Sequence, residues 1–440
     1  MSQGIQINIK KYPAYKDSGV EWLGKIPECW EPKRVKSLFR LIIEPAPKNN
    51  NEELLSVYTD IGVKPRKDLE ERGNKASTTD GYWRVRKGDV IVNKLLAWMG
   101  AIGVSDYDGV TSPAYDILRA RKEVNGRFFH YMFRMPSCVS ELKRHSRGIM
   151  DMRLRLYFDK FGDVVVPFPS LPEQTAIANF LDDKTAKIDQ AIAQKEKMIA
   201  LLKERKQIII QNAVTKGLDP KVKLRDSGVE WIGEIPEHWE VKKLFGVCHF
   251  VRGNSTFSKE ELLGKGEYVA LQYGKAYKVT EVDEKYEFYV NNEFYKASQV
   301  VNHGDTIFIS TSETIEDLGH TVFYNRNDLG LLGGEQMLLK PKSETVNSKY
   351  LHFSSKVFSK ELRKYATGIK VFRFNINDLK TIYTPIPPID EQNVIVQHIE
   401  LQLNKIEQAM LHQQAQIEKL KEYKATLIDS AVMGKIKVSF

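Results

Sequence analysis

Residues 171–217 read LPEQTAIANFLDDKTAKIDQAIAQKEKMIALLKERKQIIIQNAVTKG, with no proline or glycine between Pro172 and Gly217. Proline in a first helical turn costs no hydrogen bond, because its N–H would have had no intrahelical partner. Gly217, with Pro220 close behind, stops the helix. Within the stretch Leu181, Thr185, Ile188, Ile192, Lys195, Ile199, Leu202, Lys206, Ile209 and Ala213 step by fours and threes. That is a heptad seam, the pattern of a coiled-coil partner rather than of a helix lying on a large core. Roughly 45 such residues make a rod of about 65 Å.

The seam returns later in the chain. Adding 218 to each position gives Ile399, Leu403, Ile406, Met410, Gln413, Ile417, Leu420, Lys424, Leu427 and Ala431. Every apolar position stays apolar. The approach repeats as well: VPFP at 166–169 before Glu173-Gln174, and PIPP at 385–388 before Glu391-Gln392. Two amphipathic helices on separate domains would show such periodicity too, but the preserved register favours one helix packing on the other, antiparallel.

The repeat extends beyond the helices. Residues 16–31, KDSGVEWLGKIPECWE, return as 225–240, RDSGVEWIGEIPEHWE. The offset there is 209, so the second globular segment carries nine more residues than the first. A period this long marks a duplication and not a solenoid. Between the motifs the two segments share only a scaffold: Gly88-Asp89 against Gly304-Asp305, each feeding a β-rich strand, Tyr131 against Tyr350, and Gly148-Ile149 against Gly368-Ile369. Each segment reads as an α/β or α+β domain, and sheet order does not follow from the sequence. The expected fold is two globular domains joined by two long antiparallel coiled-coil helices, with an internal pseudo-twofold repeat.

Composition bounds the function. The 440 residues are 42% hydrophobic and 28% charged, with a formal net charge of +9. That balance favours a polyanionic partner. No apolar run approaches the ~20 residues of a membrane span, and no apolar signal core opens the chain. Cys29, Cys138 and Cys248 are far apart without metal-ligand spacing, which argues against zinc and disulfides and suits a reducing cytoplasm. No GxxxxGK[ST] loop is present. Ser112-Pro113-Ala114-Tyr115 is only a loose match to a methyltransferase target motif, and no cofactor loop precedes it. No catalytic residue and no metal site are assigned.

The DSGVEWLGxIPxxW opening, the Gly-Asp strand, the PFPSLPEQ and PIPPIDEQ helix approaches and the two spaced helices resemble the specificity subunits of type I restriction-modification systems. The resemblance covers about residues 12–437. It implies a non-catalytic DNA reader in which two target-recognition domains each read one half of an asymmetric bipartite site, directing adenine methylation or restriction by partner subunits. The domains would be 1–169 and 218–387, and the spacer helices 170–217 and 388–440. Implied partners are double-stranded DNA, two methyltransferase subunits and the restriction-translocase subunits, with no membrane. S-adenosylmethionine, ATP and Mg²⁺ would sit on those partners, with no cofactor in this chain. A structural adaptor with helical protein-binding arms and no DNA readout is the alternative, and a single-chain nuclease or methyltransferase with a degenerate site is a third reading.

Base edges in a major groove are read by polar side chains on loops, and phosphates by cations. The candidates in the first domain are Asn93, Lys94 and Trp98 after the Gly-Asp strand, Ser112 and Tyr115, and Arg147, Arg153 and Arg155. In the second they are Ser310, Thr311, Ser312, Glu335, Gln336, Lys370 and Arg373. Arg153 and Arg373 precede similar runs and suit phosphate. Trp22, Trp30, Trp231 and Trp239 are identical in both halves, which suits packing or docking better than specificity.

Overall fold

The computed structural model describes residues 10–68, 79–148, 154–255 and 257–438. The chain divides into two compact units, Met1–Glu196 with Gln414–Phe440, and Lys197–Gln413. Each unit holds one globular domain and half of each long helix.

In the first unit the central sheet is antiparallel, in the order Phe39–Ile42, Tyr115–Ala120, Val90–Asn93, Ile102–Val104. Its inner strand, VIVN, is buried at every residue, as a short unbroken apolar run leads one to expect. The helix Gly126–Arg134 packs on it. Asn125 starts that helix, its side chain accepting the Phe128 N–H at 3.1 Å. Phe129 and Phe133 then meet Phe39 edge-on, with ring centroids 5.1 and 6.1 Å apart.

The second unit repeats this frame and adds to it. Cys248–Arg252, Gln336–Pro341, Thr306–Ile309 and Thr321–Tyr324 stand in the same antiparallel order, extended by a parallel pairing with Glu281–Val282. A further four-stranded sheet runs Tyr289–Val290, Tyr268–Leu271, Gly330–Leu332, Val300–Val301. The matching helix is Ser348–Phe358, capped by Asn347.

The first long helix is Leu171–Lys216 and the second Ile389–Val432. All twenty seam positions are buried or half-buried. In the first unit Lys424 reaches both carboxylate oxygens of Asp189 at 2.7 Å, and Lys195 bonds Gln416. In the second Lys206 reaches Glu407 at 2.8 Å. Numbers rise on one helix as they fall on the other, so the pairing is antiparallel within each unit. The two seam lysines therefore bridge to an acid on the facing helix, at places related by the 218-residue offset.

The Glu-Gln pair at each helix start has a defined task. Gln174 accepts the Asn125 N–H at 2.9 Å and donates to the Pro169 carbonyl at 2.9 Å. Gln392 accepts the Asn347 N–H at 2.8 Å and donates to Pro387 at 2.8 Å and Thr345 at 3.0 Å. Both glutamines are fully buried. Each ties the start of a long helix to the capping asparagine of the domain's own helix. The preceding glutamates also turn inward: Glu173 accepts the Tyr12 hydroxyl at 2.6 Å, and Glu391 the Trp239 indole N–H at 3.0 Å.

Trp30 and Trp239 are packing residues, each buried in its unit's core. Trp30 lies with Ala431, Val432 and Met433, at the end of the second long helix. Trp239 lies with Ala213 and Val214, at the end of the first. Gly434 and Gly217 follow those helices at φ 70° and 72°, the left-handed conformation that ends a helix. A Cβ on Gly434 would meet Pro27 at 2.5 Å. Each tryptophan motif thus closes the end of the helix that belongs to the other copy of the repeat. Lys10 and Lys437 pair as an antiparallel bridge beside the first motif.

Candidate nucleic-acid interface

The Gly-Asp turn sets the frame of each candidate site. Gly88 and Gly304 take φ of 92° and 89°, so the chain can reverse without a side-chain clash. Asp89 accepts the Arg86 N–H at 2.9 Å and a two-pronged guanidinium from Arg119 at 2.8 and 2.7 Å. Asp305 accepts the Asn302 N–H at 2.8 Å and faces Lys340 at 3.1 Å. Burial pushes the Asp305 carboxyl above the usual carboxylate range, against the pull of that backbone bond and of Lys340. The strand that follows is fixed at its start, and its far end carries the candidates.

In the first unit that far end gathers six of them. Tyr115 is in register opposite Asn93. Asn93 is buried, and its side chain accepts the Leu95 N–H at 3.1 Å, which closes a turn. Lys94 donates to the Pro113 carbonyl at 3.0 Å and lies 3.3 Å from Asp116. Burial raises the Asp116 carboxyl despite this lysine. Ser112 accepts the Ala114 N–H at 3.3 Å. Arg147 and Arg155 exchange both backbone bonds at 2.9 Å, and Leu156 N–H reaches the Lys94 carbonyl at 2.9 Å. Both arginines are exposed, Arg147 lying 3.9 Å from Asp159. Trp98 sits on the following turn, its indole donating to Leu95 at 2.9 Å and its ring facing Lys143 at 5.3 Å. Arg153 lies outside the described residues.

In the second unit five of the seven candidates line one cleft of about 490 Å³: Ser310, Thr311, Glu335, Gln336 and Arg373. Ser310, Thr311, Ser312 and Gln336 are buried. Gln336 donates to the Leu271 carbonyl at 2.8 Å. Thr311 and Ser312 pair in β-ladder register with Arg373 and Phe372. Ser310, Thr311 and Gln336 form a buried part of the cleft lining, and Ser312 lies outside it. Glu335 stands exposed on a tight turn at φ 59°, with its carboxylate 4.0 Å from Arg373. Lys370 is exposed on the neighbouring loop, outside the cleft lining.

The two sites superpose in their backbone logic. Thr367 and Arg373 exchange bonds as Arg147 and Arg155 do, and Phe374 N–H reaches the Ser310 carbonyl as Leu156 N–H reaches Lys94. Arg155, rather than Arg153, is therefore the counterpart of Arg373. The cleft also holds Arg252, Asn254, Asn375 and Asn377, which sequence reasoning did not single out. The signal for one was present: Asn375 with Asp378 three positions on forms a complete capping box. Among the described residues no group of three or more His, Cys, Asp or Glu is placed to hold a metal, and no helix is long and apolar enough to cross a membrane.

Residues 236–419 match the family model of the type I restriction modification DNA specificity domain. Two similar proteins come from Methanocaldococcus jannaschii. The putative type I restriction enzyme MjaX specificity subunit is 28% identical, over 94% of this chain and 96% of its own. The type I restriction enzyme MjaVIII specificity subunit is 23% identical, over 94% of both chains. Among solved structures, the HsdS subunit from Thermoanaerobacter tengcongensis aligns with a TM-score of 0.52 at 17% identity, over 93% of this chain and 98% of that one. A chain from a structure described as the basis of complex assembly and conformational transition of the type I R-M system gives 0.69 at 15% identity, over 92% and 98%. Both bear on the fold.

Proposed function

Since the chain belongs to the type I restriction-modification specificity-subunit family, we propose that its two domains each read one half of a bipartite DNA site. It is a non-catalytic DNA-recognition subunit. The observation that carries the bipartite reading is the contrast within the repeat. The Gly-Asp turn, the buried glutamine tie at each long helix and the tryptophan motif recur at matching positions, while the surroundings of the two candidate sites differ. A duplicated frame with divergent candidate sites suits two readers of unlike sequences.

Under this reading Arg147, Arg155, Lys370 and Arg373 neutralise phosphate, being exposed cations on loops beside the clefts. Glu335 is an exposed group on the second cleft that suits a base edge, an acid accepting from cytosine. Asn93, Ser310, Thr311, Ser312 and Gln336 hold the loops in shape. Two methyltransferase subunits and the restriction-translocase subunits assemble on the chain and supply S-adenosylmethionine, ATP and Mg²⁺, and the complex works in the cytoplasm.

The test is a methylome. This chain is expressed with the methyltransferase encoded beside it in a host lacking both, and modified adenines are mapped by single-molecule sequencing. The expected result is one new bipartite motif with a fixed gap and a methylated adenine in each half. No new methylation from a folded, associated complex would overturn the reading and favour the adaptor.

A further inference from the structure

Residues 367–373, TGIKVFR, form a closed loop at the edge of the second cleft. Thr367 and Arg373 exchange both backbone hydrogen bonds at 2.9 Å. Gly368 takes φ 113°, and a Cβ there would lie 2.0 Å from the Val371 carbonyl, so the turn is tight and admits only glycine. At its tip Ile369 is 95% exposed, more than any other large hydrophobic residue described. Lys370 is exposed beside it, and Arg373 at the loop's base keeps 62% of its side chain in water.

A scattered surface apolar residue needs no explanation. Three observations set this one apart. It sits on a constrained turn rather than a slack one. Cations flank it. The pair Gly-Ile recurs at Gly148-Ile149 although the two domains otherwise diverge. Packing does not account for Ile369, because nothing covers it. Ile149 lies outside the described residues, so the recurrence is one of sequence; a residue pair kept by two readers of different sequences suits a contact that does not depend on the sequence read.

We infer that Ile369 is an apolar wedge that enters a groove of the bound duplex and presses on a base step, with Lys370 and Arg373 on phosphates to either side. The inference rests on the reading of this chain as a DNA-recognition subunit. Apolar side chains that partly unstack a base step are a known way to grip DNA without reading its letters. Here the wedge would hold the cleft in place while other groups read.

The experiment uses the full chain with its methyltransferase and two duplexes, one carrying the methylated motif and one scrambled. Binding is followed by fluorescence anisotropy over a range of salt. Ile369→Ala is expected to weaken both duplexes alike, on the order of tenfold, as about two buried methylene equivalents are lost. Its salt slope should equal that of the wild type, since no cation is removed. Lys370→Ala should instead lower the slope by about one. Ile369→Leu should bind as the wild type does. 2-Aminopurine stepped through the duplex should brighten at one position with wild type and not with Ile369→Ala. Unchanged affinity in Ile369→Ala would overturn the wedge. So would a loss confined to the specific duplex, or a loss of methyltransferase co-purification with DNA binding intact, which would make the tip a protein contact. Should the wild type show no site preference while Ile369→Ala still weakens both duplexes, the wedge stands and the specificity reading falls.

Discussion

Gln392→Leu isolates what the glutamine at the start of a long helix contributes. The side chain is fully buried. It makes three hydrogen bonds: from the Asn347 N–H at 2.8 Å, to the Pro387 carbonyl at 2.8 Å, and to the Thr345 carbonyl at 3.0 Å. Leucine has nearly the same volume, so little cavity forms, but all three partners lose their bond. Thr345 is exposed and recovers one from water. The Pro387 carbonyl is buried and recovers none, at a cost of about 1–3 kcal/mol. The Asn347 N–H is half-buried and adds about 1 kcal/mol. The expected loss in the second unit is therefore about 2–4 kcal/mol. A chain of two units need not unfold in one step, so the measurement is hydrogen exchange by mass spectrometry under native conditions. Peptides over residues 345–358 should exchange faster by the equivalent free energy, while those over 125–134 should be unchanged. Gln174→Leu should reverse the pattern. A change below about 1 kcal/mol over 345–358, or equal changes in both units, would refute the reasoning that this glutamine is a local tie.

Other consequences follow from single contacts. Gly434→Ala should lower the first unit's stability by about 1–3 kcal/mol, since the backbone is left-handed and a Cβ meets Pro27 at 2.5 Å; Gly217→Ala, whose nearest neighbour is Trp239 at 3.2 Å, should cost less, and thermal unfolding of both variants checks the order. Lys206→Glu places like charges beside Glu407, and the double swap with Glu407→Lys should restore the melting temperature; the pair is half-exposed, so the coupling should be about 0.2–1 kcal/mol. Burial, reinforced by Arg134 and Arg127, holds the His130 imidazole down to about 4. The unfolded chain therefore takes the proton first, and the first unit should lose stability as pH falls from about 6.5 to about 4. His130→Gln should flatten that part of the melting-temperature profile.

The long helices were legible because their signal is local. A heptad needs only neighbours in the sequence, and the 218-residue offset supplied the partner and its register. The periodicity places the two seam lysines but not their partners, Asp189 and Glu407, which only the facing helix supplies. Sheet order was hidden because it depends on pairings such as Cys248 with Pro341, far apart in sequence. The candidate residues were legible as a neighbourhood but not as roles. Ser310, Thr311, Ser312 and Gln336 are polar in the sequence, yet the fold turns them inward; polarity does not say which way a loop residue faces. Ile369 is the converse case, an apolar residue that the fold leaves in water. The closed turn at Gly368 holds it at the surface, and that turn is fixed by a pairing of Thr367 with Arg373 that hydropathy does not report.

The tryptophan motifs carry a lesson about chain order. Trp30 packs at the end of the second long helix and Trp239 at the end of the first, and Lys10 bonds Lys437 close by. Within each unit, one repeat is finished by a piece of the other. A circularly permuted gene, opening at residue 218 and bridging 438 to 10 with a short linker, would encode every contact described. Two separate half-length chains, each ending in its own long helix, would find in one another the closing motif that each lacks.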